Sequence, residues 1–205
     1  LLTLPISSRT GRLGVIDALF TATSAVCVTG LVVHDTALYW SEFGQAVILI
    51  LIQIGGMGVV TVAVAISMLA GRRIGLKERW VMQESISAPQ VGGIVRRTRF
   101  ILAAMLLLEG AGALLLASRY CPEMGLRGIW YAVFHAISSF CNAGFDVLAD
   151  VDVGGSLCRY ATDPVVNFTI MALIVIGGLG FAVWGDIRHH RRFSRLSVYS
   201  RLVVI

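Results

Sequence analysis

An all-α membrane protein assembled from repeated helix–loop–helix units is the fold class this sequence predicts. Three observations carry that expectation. Of the 205 residues, 57% are hydrophobic and 14% charged, with a mean hydropathy of +0.81, whereas an ordinary soluble domain is about 45–50% apolar and about 25% charged. Three stretches are long and apolar enough to span a bilayer as helices. A fourteen-residue segment also occurs twice, each copy followed by the same glycine motif. At roughly 20 residues per span, the length leaves no room for a sizeable soluble domain.

Taken in order, Leu13 to Val33 is apolar but interrupted by Asp17 and rich in Thr, Ser and Gly. Gln45 to Ala70 has no charge and is the first expected span. Phe100 to Ser118, with Glu109 as its one charge, is the second, and Pro164 to Gly185 is the third. Between the last two lies Ile129 to Phe145, with His135, two serines, a Cys-Asn pair and Gly144. The opening, LLTLPISSRTGRLG, has no initiator Met and no signal-peptide pattern, so the chain is expected to be part of a longer one.

Loop charges set the orientation. Arg72, Arg73, Lys77, Arg79, Arg96, Arg97 and Arg99 oppose two acids, Glu78 and Glu84, between the first two spans, and Arg188, Arg191, Arg192, Arg195 and Arg201 follow the third. Both segments belong in the cytoplasm. The second span then runs outward and the third inward, so Ile129 to Phe145 must enter and leave on the outer side. It is re-entrant, and the same reasoning makes Leu13 to Val33 a second re-entrant segment. Twelve of seventeen basic residues fall inside and eight of twelve acids outside. The net charge of +5 therefore speaks to topology and not to nucleic acid.

ALFTATSAVCVTGL (Ala18 to Leu31) aligns without gaps on AVFHAISSFCNAGF (Ala132 to Phe145), with six identities: Ala18/Ala132, Phe20/Phe134, Ala22/Ala136, Ser24/Ser138, Cys27/Cys141 and Gly30/Gly144. The spans that follow share IGGMG (Ile54 to Gly58) and IGGLG (Ile176 to Gly180). Repeats with one membrane orientation imply a pseudo-symmetry axis along the membrane normal. Non-helical backbone at membrane depth is tolerated where it is buried in protein or lines a watery path. Cys27-Val28-Thr29-Gly30 and Cys141-Asn142-Ala143-Gly144 hold no carboxylate and no base. What they offer an ion is carbonyl oxygens, with a glycine in each turn to permit inward-aiming backbone angles, which suits a dehydrated monovalent cation.

TSAVCVTGLVVHDT, FHAISSFCNAGF, GRRIGLKERWVMQESIS and the IGGxG helices resemble the Trk/Ktr/HKT superfamily of potassium transporters, most closely the bacterial Ktr and Trk membrane subunits. The resemblance implies four helix–pore loop–helix units around one potassium path, each loop giving a filter glycine. The expected filter residues are Cys27, Val28, Thr29 and Gly30 in one loop and Cys141, Asn142, Ala143 and Gly144 in the other. On this reading residues 1–71 hold the pore loop and inner helix of repeat 1, its outer helix missing. Residues 72–99 form a basic cytoplasmic loop, 100–187 a complete repeat 2, and 188–205 a basic linker toward an absent repeat 3. The resemblance further implies potassium, and in some members sodium, as the transported ion, a bacterial inner-membrane location, a homodimer of full-length subunits and a cytoplasmic nucleotide-binding regulatory subunit.

Each remaining residue has a bland reading beside the functional one. Glu109 is charged within a span, a default functional feature, or else accepts hydrogen bonds from a pore helix near Ser138 or His135 and holds it in place. His135 reads better as a satisfied packing residue than as a ligand. Asp35 and Asp146 are ordinary loop acids or concentrate cations at an outer mouth. The IGGxG glycines serve close packing or hinges, with packing favoured. Cys121 and Cys158 share the outer side, where a disulfide is one option, and Cys27 and Cys141 are expected as free thiols. A solute carrier predicts inverted repeats, which are absent from the sequence. An enzyme would need a nucleophile and base or a metal cluster, and His135 and the His189-His190 pair fall on opposite sides. A structural membrane subunit is the third alternative.

Overall fold

The computed structural model describes residues 1–9, 11, 14–58, 62, 94–148, 156–189 and 196–204. The basic loop over residues 72–93, the far end of the first expected span (59–61 and 63–70), Asp150, Asp152, His190, Arg191, Arg192 and Arg195 lie outside that set. Among the described residues the chain is helical and has no strand, only an isolated bridge between Ser8 and Trp40. The helices are α1 (Val15–Val26), α2 (Glu42–Met57), α3 (Ile94–Met124), α4 (Arg127–Phe140), α5 (Pro164–Gly178), α6 (Phe181–His189) and α7 (Val198–Val204). Short 3-10 turns occupy Pro5–Ser7 and Ser156–Tyr160.

Two compact units divide the chain: Leu1–Gly56 with Leu108–Gly177, and Met57–Leu107 with Gly178–Ile205. In the first, helix starts are fixed by side chains that take up the unpaired N–H groups of the first turn. Ser41 Oγ accepts from the Gly44 N–H (3.2 Å) at the head of α2 and donates to the Ile6 carbonyl (2.6 Å). Asp163 Oδ1 accepts from Val165 and Val166 (2.8 and 3.2 Å) at the head of α5, where Pro164 fills the position that needs no donor. Arg119 reaches the same carboxylate at 3.3 Å. Trp40, Ile48, Ile52, Leu116, Tyr120, Phe134, Val147 and Val166 form the core of this unit. In the second unit Ser197 caps α7, accepting from the Ser200 N–H (3.2 Å), while its own N–H donates to Asp186 on α6 (2.8 Å).

One described helix segment, Thr98–Met124, is long and apolar enough to cross a membrane, with a mean hydropathy of 2.2; Val15–Val26, Glu42–Met57 and Pro164–Gly178 are shorter apolar helices. The helix expected over Phe100 to Ser118 is thus present and longer. The third expected span, Pro164 to Gly185, is not one helix. It stops at Gly178, passes through Gly180 at φ +81°, and resumes as α6 at Phe181. The equivalent Gly58, just past the end of α2, has φ +80°. Glycines carry the poorest helix propensity after proline and alone adopt this left-handed backbone without strain. Hydropathy counts the IGGLG run as apolar and misses the break.

Candidate functional site

The two repeated segments end in the same turn. α1 closes on Cys27 (φ −80°, ψ −2°) and α4 on Cys141 (φ −75°, ψ −5°). The next residue is left-handed in each, Val28 at φ +55° and Asn142 at φ +58°, and two residues on Gly30 and Gly144 both stand at φ +72°. Backbone bonds match: Val28 N–H donates to Ala25 (3.3 Å) and Thr29 N–H to Ser24 (3.0 Å), as Asn142 does to Ser139 (3.1 Å) and Ala143 to Ser138 (2.8 Å). These pairs satisfy carbonyls that a helix end otherwise leaves open. A serine then pins the chain beyond each glycine. Ser24 Oγ donates to the Leu31 carbonyl (2.6 Å) and Ser138 Oγ to the Phe145 carbonyl (2.7 Å).

The glycine runs buttress these turns. A side-chain carbon at Gly55 of α2 would overlap the carbonyl oxygen of Val26, the last residue of α1; one at Gly177 of α5 would overlap that of Phe140, the last residue of α4. Gly56 presses on the Cys141 sulfur in the same way. The packing that the sequence favours for these runs is what their first glycines show. The first glycine of each run packs against a helix end, and the last ends its own helix. The turns also meet each other, since a carbon added to Gly30 would lie 2.5 Å from the Ala143 carbonyl oxygen and 3.5 Å from the Gly144 α-carbon.

Of the polar residues singled out from the sequence, Glu109 departs most from expectation. It bonds neither Ser138 nor His135. Both its oxygens accept from Nε2 of Gln53 on α2, at 3.0 and 2.9 Å, and Gln53 Oε1 faces the Cys141 thiol at 4.0 Å. His135 is a satisfied core histidine. Nδ1 donates to the Tyr131 carbonyl (2.7 Å), Nε2 faces Asp146 Oδ1 (3.4 Å), and the ring meets Tyr120 edge-on at 5.9 Å. Asp146 also accepts from the Leu148 N–H (2.7 Å) and the Ser156 hydroxyl (2.5 Å). Burial pushes its carboxyl up, but the bonds from His135, Ser156 and Leu148 and the neighbouring imidazole outweigh that and hold it below the ordinary carboxylate value. Asp35 caps a turn, accepting from Ala37 (2.8 Å) and Leu38 (3.0 Å). Cys121 and Cys158 are both free thiols, so the optional disulfide is not made.

Three residues have roles here that the sequence does not announce. Ser24 aligns with Ser138, but the bond each makes past its glycine is visible only in the structure. Gln53 and Gln45 were lost inside a charge-free run, although an amide in such a run must find a partner. Gln45 Oε1 accepts from Trp130 Nε1 (2.9 Å) and its Nε2 donates to the Thr36 and Trp40 carbonyls (3.2 and 3.3 Å), tying α2 to α4. Among the described residues no three His, Cys, Asp or Glu side chains are grouped to hold a metal ion. What the site presents is shaped backbone, with side chains bracing it.

Known proteins align with this chain throughout. The family model TrkH, described as cation transport protein, matches residues 2–202. The Ktr system potassium uptake protein B of Bacillus subtilis is 44% identical over the whole chain, and the protein of that name from Vibrio alginolyticus is 39% identical. The potassium/sodium uptake protein NtpJ of Enterococcus hirae is 41% identical, again over all of this chain. The chain spans 44–45% of the length of these relatives. With a family match from residue 2 to residue 202 and the repeated turns that its sequence announced, the chain belongs to the TrkH family of cation transport proteins.

Proposed function

We propose that these residues are about half of a membrane transporter that takes up potassium through a path lined by backbone carbonyls of the Cys27–Gly30 and Cys141–Gly144 turns. The observation that carries this reading is the identity of the two turns: the same cap, the same pair of left-handed residues and the same serine bond at sites 114 positions apart. Left-handed residues at alternate positions let neighbouring carbonyls face one way, where an extended strand would alternate them, and a row of carbonyls replaces the water of a monovalent cation.

On this reading each turn with its flanking helices is one helix–pore loop–helix unit, the units run in parallel around a pseudo-fourfold axis, and two of four are present. The boundaries at 71/72, 99/100 and 187/188 separate repeat 1, the cytoplasmic loop, repeat 2 and the linker. Asp35 and Asp146 stand at the outer mouth as braces that also add negative charge. The names of the Ktr and NtpJ relatives support potassium, with sodium as a second ion. A homodimer, a cytoplasmic nucleotide-binding regulatory subunit and a bacterial inner-membrane location complete the proposal. The test is uptake by the full-length protein in a potassium-uptake-deficient strain. Rescue is expected, with selectivity for potassium over sodium degraded by Gly30→Ser or Gly144→Ser; unchanged selectivity in both variants would sink the filter assignment.

A further inference from the structure

Among the described residues, Glu109 is the one buried carboxylate, 4% exposed. Its two oxygens accept from a single amide nitrogen, Gln53 Nε2, while Gln53 Oε1 faces the Cys141 thiol. The amide is thus oriented from both ends. An ionised carboxylate accepts at both oxygens, and the Gln53 amide nitrogen faces both with a donor. The ion pairs among the described residues join His34 to Asp17, Arg119 to Asp163, His135 to Asp146 and Arg159 to Glu123, and none includes Glu109. A neutral amide supplies hydrogen bonds but no opposite charge, and a buried charge without one is costly.

The network leads to the second turn. Cys141 opens the second turn, and Gly56, three residues beyond Gln53, is packed on the Cys141 sulfur. We propose that the Glu109 carboxylate is the fixed counter-charge for a cation held at the Cys141–Gly144 turn, acting through space from behind Gln53 without touching the ion. The proposal rests on the filter reading above. A water-excluded charge is felt far more strongly than one in solvent, and an attraction worth about 1.4 kcal/mol changes affinity tenfold.

The experiment measures potassium uptake by the full-length protein, separating KM from Vmax. Glu109→Gln keeps the size and a hydrogen bond but removes the charge; KM for potassium should rise roughly tenfold with Vmax within about a factor of two. Glu109→Asp keeps the charge and should stay near wild type. The exchange Gln53→Glu with Glu109→Gln moves the charge across the same hydrogen bond and should restore KM. A wild-type KM in Glu109→Gln overturns the proposal, as does an Asp variant impaired as much as the Gln variant, since geometry and not charge would then matter. Should Glu109→Gln fail to accumulate, the exchanged pair decides alone: a near-normal KM supports the counter-charge and a raised one refutes it. Gly144→Ser in the same assay reports on selectivity, so failure of the filter reading is seen separately from failure of the counter-charge.

Discussion

Gly30 faces the carbonyl oxygen of Ala143 so closely that a side-chain carbon there would lie 2.5 Å from it, whereas a carbon on Gly144 would meet nothing nearer than the Gly30 α-carbon at 3.8 Å. The two turns are symmetric in backbone but not in contact. Both glycines share φ +72°, so any side chain costs about 1–2 kcal/mol from the left-handed backbone alone. Gly30→Ala adds an overlap with backbone, which cannot swing aside, worth about 1–3 kcal/mol more. Gly30→Ala should therefore lower the thermal midpoint of the purified full-length protein clearly more than Gly144→Ala. Equal losses would mean the turns do not meet as described.

Val28 and Asn142 occupy the same left-handed position, at φ +55° and +58°, with unequal fitness for it. Asparagine tolerates this region, and a β-branched residue there is an outlier. Val28→Asn should raise stability by about 1 kcal/mol and Asn142→Val should lower it by a similar amount. Thermal unfolding of both variants checks this. A destabilised Val28→Asn would show that packing of the valine outweighs its strain.

Ser24 and Ser138 are buried and donate to Leu31 and Phe145, the residues just past Gly30 and Gly144. Truncation to alanine leaves a carbonyl without that donor, a loss of about 1–3 kcal/mol where water does not replace it. The chain beyond the glycine is then free to shift. Ser138→Ala, whose acceptor Phe145 is itself buried, should lose more stability than Ser24→Ala, whose acceptor Leu31 is exposed. On the proposed filter reading, selectivity for potassium over sodium in uptake by the full-length protein should fall in both; retained selectivity in Ser138→Ala would remove the serine as a support of that turn.

Much of this site was legible because its cause is local. A helix that ends on Cys and must turn left-handed twice favours glycine at one of the positions, so the alignment of Gly30 on Gly144 marks both turns in the sequence. The IGGxG runs were visible for the same reason, but their division of labour was not. Gly177 is small because the Phe140 carbonyl comes from another helix, and Gly180 because its own helix ends there; one-dimensional pattern cannot separate the two. Glu109 shows the limit most plainly. Its burial is foreseeable from its place in a long apolar stretch, but its partner Gln53 is 56 residues away, and nothing local in the sequence selects it over Ser138 or His135. Hydropathy likewise joined α5 to α6, since glycine and leucine count as apolar whether or not the helix continues.

Asp146 supplies a prediction with a definite sign. Hydrogen bonds hold its carboxyl below the ordinary aspartate value in the folded chain, so the unfolded chain takes up the proton first as pH falls. Above the unfolded value the carboxylate is ionised in both states and its stabilising bonds to His135, Ser156 and Leu148 contribute in full. Below it, stability declines, and the contribution is lost once pH passes the depressed native value. Asp146→Asn removes this dependence while keeping a similar shape. The wild-type protein should therefore unfold at a higher temperature than Asp146→Asn at about pH 5, and the gap should shrink as pH drops below about 4. A gap that stays constant or widens on acidification would contradict the depressed carboxyl. It would then remove Asp146 as an ionised brace between the α4 helix, through His135, and the 3-10 turn that begins at Ser156.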